Sequence, residues 1–234
     1  MGTILKAYKS GKPVKQVQQF EEFKKKLITE KNLSPLKELF RQDKERFFLY
    51  LTAQDTLPRF YLDYFNACTY LGLDMTLERN RFPHDLKRWH DIRIDEYHTA
   101  KALADEKERE ALYVKFVSVA EKYMALQKTK DTYAVIIAKS PADLFHEGEI
   151  LKHCVGKMNY EQKVVRGETL IFFVRHTQNP DIPFVTVEYS LQSKKVLQCY
   201  GSKNSKPEDT VLNYVNKVWL PHANKTIKKL QIAA

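Results

Sequence analysis

TLIFFVRHTQNPDIPFVTVEYSLQSKKVLQCYG, residues 169–201, is the stretch on which the fold turns. It holds three runs, TLIFFVRH, FVTVEYS and KKVLQCYG, each rich in β-branched and aromatic residues. A polar segment with Pro180 and Pro183 separates the first two, and the short polar LQSK separates the last two. Side chains of this kind suit a pleated, half-buried surface, whereas proline and short polar links interrupt it, so the stretch predicts an antiparallel meander. YAVIIAK, residues 133–139, predicts a further strand ahead of it. Between that strand and the meander, SPADLFHEGEILKHC reads as a helix, with Ser140 as cap and Pro141 in the first turn. Beyond the meander, Ser205 and Glu208 are spaced as a capping box. Val211, Leu212, Val215 and Trp219 form an apolar stripe there, and Pro221 is expected to stop the helix.

Upstream the texture is helical. VKQVQQFEEFKKKL places Val14, Val17, Phe20 and Leu27 near one face, and LPRFYLDYFNACTYLG is apolar around most of its circumference and closes on Gly72. Cys68 in that segment reads as a small packing residue. The reading is therefore an α+β protein: a helical domain over residues 1–130, then an α+β domain over 131–234 with an antiparallel β-meander of at least four strands packed by helices.

Of the 234 residues 43% are apolar and 12% aromatic, enough for a proper core. Three scattered cysteines, Cys68, Cys154 and Cys199, with no signal peptide ahead of them, point to reduced thiols in a cytoplasmic setting. No apolar run approaches the roughly 20 residues of a membrane span, so no membrane partner is expected. Against 29 acidic residues stand 39 lysines and arginines, a formal charge of +10. Clustered Lys and Arg bind phosphate backbones by releasing counterions, which makes nucleic acid the leading partner class.

Three constellations carry candidate chemistry. In a helix continuing to Val155, Leu144, Gly148, Leu151 and Val155 share one face, Cys154 lies about 80° to its side, and His153 points nearly opposite. Neighbours on a helix diverge by about 100°, so His153 would not activate Cys154 there. If the helix instead ends at Lys152, with Gly156 as a left-handed cap, the pair escapes that geometry. Cys154 is then either a packed thiol or a nucleophile. Zinc ligation by His146, His153, Cys154 and Cys199 lacks the usual ligand spacing, and no metal or cofactor is expected.

Strand alternation supplies the second group. Thr186 and Glu188 share a face, as do Val196, Gln198 and Tyr200, with Arg175 on the preceding strand in reach of Glu188 and Gln198. A polar cluster on an apolar sheet is either a satisfied hydrogen-bond network or a pocket. The third is GSKNSK, residues 201–206, whose backbone donors and lysines suit an anion; with Arg175 it makes Lys203, Asn204 and Lys206 the candidate nucleic-acid or anion contacts.

The motifs EGxxLxHCVGxxxY at 147–160, GETLIFFVR, PFVTVEY and VLQCYGSKNSKP, with Pro83, Leu86, His90 and Asp91 upstream, resemble the PcfJ-like proteins of conjugative plasmids, integrative elements and phages. The resemblance implies an intracellular protein of a mobile element, with a role in DNA processing, DNA transfer or counter-defence. It also draws attention to His153, Cys154, Glu188 and Gln198, together with Asn204, because they fall at its signature positions. Three functions follow as expectations: a module that binds nucleic acid or a nucleoprotein complex; an enzyme using His153, Cys154, Glu188 and Gln198 in acid-base or thiol chemistry on a nucleic-acid or nucleotide substrate; and an inhibitor or adaptor that binds a host or element-encoded protein.

Overall fold

A computed structural model describes Gly11 and residues 14–232. The chain divides between Asp105 and Glu106 into two compact units. The boundary falls inside one long helix, Leu86–Lys122, which the dense alternating charge of ADEKERE leaves exposed over residues 101–111.

The first unit is helical: α1 (Val14–Thr29), α2 (Ser34–Leu39), α3 (Lys44–Ala53), α4 (Pro58–Tyr70), α5 (Glu78–Arg81) and the start of α6 (Leu86–Lys122). Its core is aromatic. Phe40 and Phe47 stack with centroids 3.7 Å apart, and Tyr61 meets Phe47 edge-on at 4.9 Å. Gly72, at φ +74°, takes the left-handed turn that ends α4, a conformation that costs glycine nothing. Cys68 is fully buried in this core, in the packing role its sequence suggests.

The second unit confirms the α+β reading and carries a five-stranded antiparallel meander in chain order: β1 (Lys128–Lys130), β2 (Tyr133–Ile137), β3 (Thr169–His176), β4 (Val185–Ser190) and β5 (Val196–Tyr200). Between β2 and β3 lie α7 (Pro141–Leu151) and α8 (Tyr160–Val165). Ser140 caps α7 in a box with Asp143. Every residue of β4 is buried and only His176 of β3 is not, because helices cover both sheet faces, which is why these strands read as continuous apolar runs rather than clean alternations. The edges differ: β1 is three residues long with two lysines, and β5 is largely exposed, both ways of discouraging further pairing.

One face of the sheet packs on the C-terminal helical run. Trp219 is its anchor, with its ring 4.8 Å from Phe172 and 5.7 Å from Tyr189 and its indole N–H donating to the Leu126 carbonyl at 2.9 Å. This run corrects two expectations. The helix α9 (Asp209–Asn213) starts after Glu208 without a side-chain cap, so Ser205 and Glu208 form no capping box. Nor does Pro221 stop it: a π-helical turn over Tyr214–Trp219 leads into α10 (Leu220–Ile232), which contains Pro221. In that wider turn the Leu220 N–H reaches back five residues to Val215, which accommodates a proline ring that would otherwise strike the preceding turn.

Candidate functional site

The other face of the sheet carries Ile171, Phe173 and Arg175 of β3 and Thr186 and Glu188 of β4; Phe173 pairs with Thr186 and Ile171 with Glu188. Glu188 also pairs with Gln198 of β5, and Thr186 with Tyr200. The register then slips between Glu188 and Tyr189, so that Tyr189 faces Val196 and Leu197 bulges out, exposed. The bulge corrects the alternation that grouped Val196 with Gln198 and Tyr200: Val196 packs into the core, whereas the other two stay with Glu188.

Over this face lies the HCVG turn. Helix α7 ends at Leu151, Lys152 turns left-handed at φ 54°, His153 is extended, and Cys154–Gly156 forms a single 3₁₀ turn. Lys152, not Gly156, therefore makes the left-handed cap. Two glycines press the turn against its own helix. A Cβ on Gly156 would sit 2.7 Å from the Phe145 Cα, and one on Gly148 would sit 3.0 Å from the His153 carbonyl oxygen. His153 consequently turns inward instead of toward solvent: its Nε2 lies 3.0 Å from the Thr186 hydroxyl.

Thr186 donates its one hydroxyl proton to Glu147 Oε1 at 3.2 Å, which leaves its oxygen to accept from His153 Nε2. Burial holds the His153 pKa below its ordinary value, with Glu147 acting in the opposite direction. Glu147 in turn is clasped by both terminal nitrogens of Arg175, one at 3.0 Å, and both residues are buried. Arg175 thus serves Glu147 rather than Glu188 or Gln198, and its position as an anion contact is taken by that carboxylate.

Glu188 is 7% exposed, and the Tyr160 hydroxyl donates to its Oε2 at 3.4 Å. Burial, then the Glu188 charge, pushes the Tyr160 pKa up to about 12, so Tyr160 remains a donor across the neutral range. His153, Cys154, Tyr160, Glu188, Gln198 and Asn204 line a single cleft of about 30 Å³, room for about one or two waters. All four candidate catalytic residues are gathered here. Asn204 joins them from the turn Ser202–Asn204, while Lys203 and Lys206 stand exposed beside it, Lys206 3.7 Å from Asp209. Tyr160 was identified in sequence only as a motif position, and Thr186 only as Glu188's companion on its face. Neither showed its bonding, because their partners are 28 and 39 residues away.

Among the described residues, four of the seven non-glycine residues with positive φ, Lys152, Asn159, Lys203 and Asn204, lie in the segments bordering this cleft. Such backbone costs about 1–2 kcal/mol per residue and persists only where the surroundings enforce it, so the walls are set by the fold. Chemically, the cleft offers a buried carboxylate acceptor, a phenol donor, two amides and an exposed thiol. Cys154 Sγ makes no hydrogen bond to His153 among the described residues, so the two are not arranged as nucleophile and base. Burial raises the Cys199 thiol to about 11 and keeps it protonated. Among the described residues no three His, Cys, Asp or Glu side chains gather as a metal site, and no helix is long and apolar enough to cross a membrane.

The family model for the PcfJ-like protein matches residues 60–213. The chain belongs to the PcfJ-like family. That span includes all but the first two residues of α4, the FPHDL segment, the whole sheet and every residue of the cleft. A Listeria innocua protein named "Uncharacterized protein Lin1253/Lin1744" is 31% identical over 172 residues, covering 74% of this chain and 36% of that relative, so this PcfJ-like chain spans about a third of the relative's length. No solved structure matches the chain.

Proposed function

We propose that this PcfJ-like chain is a nucleic-acid-binding protein of a mobile element. The observation that carries the reading is the exposed face of the C-terminal helical run. Between Thr210 and Ile232 the sequence holds four lysines and no acidic residue. Lys217, Lys225, Lys228 and Lys229 are all exposed. On α10 the last three fall within about 100° of arc, opposite the buried Ala223 and Ile227. A one-signed stripe on a rigid helix is how proteins track a phosphate backbone. The test is fluorescence anisotropy of the purified, nucleic-acid-free protein with labelled single-stranded DNA, duplex DNA and RNA at low salt. Binding to at least one form is expected; no binding to any of them contradicts the proposal.

A second reading, an enzyme working on the bound strand, is favoured by the burial of Glu188 beside the Tyr160 donor, the environment in which carboxylates act as acids or bases. Its measure is product formation from the bound strand. Turnover that disappears in Glu188→Gln with binding intact supports it, and absence of product from every substrate removes it.

A further inference from the structure

The helical unit contains a second built site, remote in sequence from the cleft. Its frame is the segment Asn80–Leu86, which five hydrogen bonds from neighbouring helices hold in place. The hydroxyls of Tyr64, Tyr61 and Tyr50 donate to the carbonyls of Asn80, Arg81 and Pro83 at 2.8, 2.6 and 2.7 Å. Gln54 bridges the far end, donating to the His84 carbonyl and accepting from the Leu86 N–H, each at 2.9 Å. The end of α5 and the loop that leads into α6 thus have carbonyls satisfied by side chains, which fixes their shape in advance of any ligand.

What this rigid segment walls is an open pocket of about 490 Å³, within the size range of small-ligand sites. Trp89, Phe82 and Tyr64 supply aromatic surface, and Arg79, Arg93 and His84 supply cationic or donor groups; no acidic residue lines it. Trp89 is 38% exposed, so part of its ring is open to solvent at the pocket. The Arg93 guanidinium lies over the Trp89 ring at 4.9 Å, with Nη1 on Glu96 at 2.5 Å and a buried Nε that has no acceptor among the described residues. Glu96 offsets the charge of Arg93, which leaves the exposed Arg79 as the main cation at the mouth.

Aromatic surface edged by arginine and lacking carboxylates suits a flat aromatic ring joined to a negatively charged group. We infer that this pocket binds a nucleotide unit, with the base against Trp89 and the phosphate at Arg79. Base stacking on aromatic and guanidinium planes together with a phosphate contact is the chemistry by which unpaired nucleotides are held. The unit has two sources, a free nucleotide or a residue of a single strand, and the site does not require the lysine face of the other unit.

Trp89 is its own reporter, since Trp219, the other tryptophan, is fully buried. Selectively excited tryptophan emission of the full chain is followed while adenosine 5′-monophosphate, a short oligodeoxyadenylate, or the same sequence as a duplex is added. Saturable quenching by the mononucleotide, lost in Trp89→Phe, is expected and identifies a free-nucleotide site; saturable quenching by the single strand alone, equally lost in that variant, identifies a strand site and supports the inference as well. Arg79→Ala, an exposed change whose melting temperature should match wild type, is expected to weaken the quenching ligand about tenfold, the effect of losing one charge-assisted contact. Absence of quenching by either ligand, quenching by the duplex as strong as by the single strand, or an unchanged affinity in Arg79→Ala would overturn the inference. A variant with the four C-terminal lysines changed to glutamine should keep this quenching even where strand binding by anisotropy is lost, so failure of the nucleic-acid reading and failure of this site are separable.

Discussion

Arg175 and Glu147 are the residues on which the site's wall depends. The pair is buried and bidentate, and it reaches His153 through Thr186. Removing one partner leaves the other charge buried without compensation, so Glu147→Ala should cost about 3–5 kcal/mol in denaturant unfolding. Adding Arg175→Met should recover part of that loss, because no charge is then left buried without a partner. His153 adds a pH dependence. Its pKa in the folded chain lies below its ordinary value of 6.5, so the unfolded chain binds the proton more readily. The stability associated with neutral His153 is intact above that value and is lost as pH falls from it through the folded pKa. The unfolding midpoint should therefore decline across that window, and His153→Asn should flatten the decline. An unchanged pH profile in the variant would show that His153 does not titrate as placed.

At the scale of elements, the decisive feature is the close approach of the HCVG turn to α7. Gly156→Ala puts a methyl group within 2.7 Å of the Phe145 Cα, backbone that cannot swing aside. The substitution should cost about 1–3 kcal/mol by thermal or denaturant unfolding, as overpacking does, and should disturb the cleft that the turn roofs. The same turn marks where sequence reasoning reached its limit. Strands β2 to β5, the Ser140 cap of α7 and the Gly72 closure of α4 were legible, since each depends on local composition and spacing. The end of α7 at Lys152 was one of two readings the sequence left open, but its left-handed cap was not legible, because a lysine rather than Gly156 takes that position. The bulge opposite Val196 and the π turn before Pro221 were hidden for a related reason: both are adjustments made by neighbouring elements, and nothing in the local pattern announces them. The pairing of the cleft residues followed from strand register, but the partner of Arg175 did not, since Glu147 comes from a helix rather than an adjoining strand.

Across the whole molecule, the excess of basic residues takes on meaning from where it is displayed. Spread along the sequence, +10 is only a surface property; the proposed phosphate contact rests on the four lysines of the acid-free C-terminal run, three of them on α10 opposite the buried Ala223 and Ile227. The measurement that tests this most directly is the salt dependence of binding, run in parallel on the wild-type chain and on the variant with Lys217, Lys225, Lys228 and Lys229 changed to glutamine. Wild type should lose affinity linearly in log Kobs against log salt, and the variant should bind more weakly with a slope shallower by about 0.7 to 0.9 for each phosphate contact removed. Binding that ignores salt, or equal affinity and slope in the two proteins, would contradict the account.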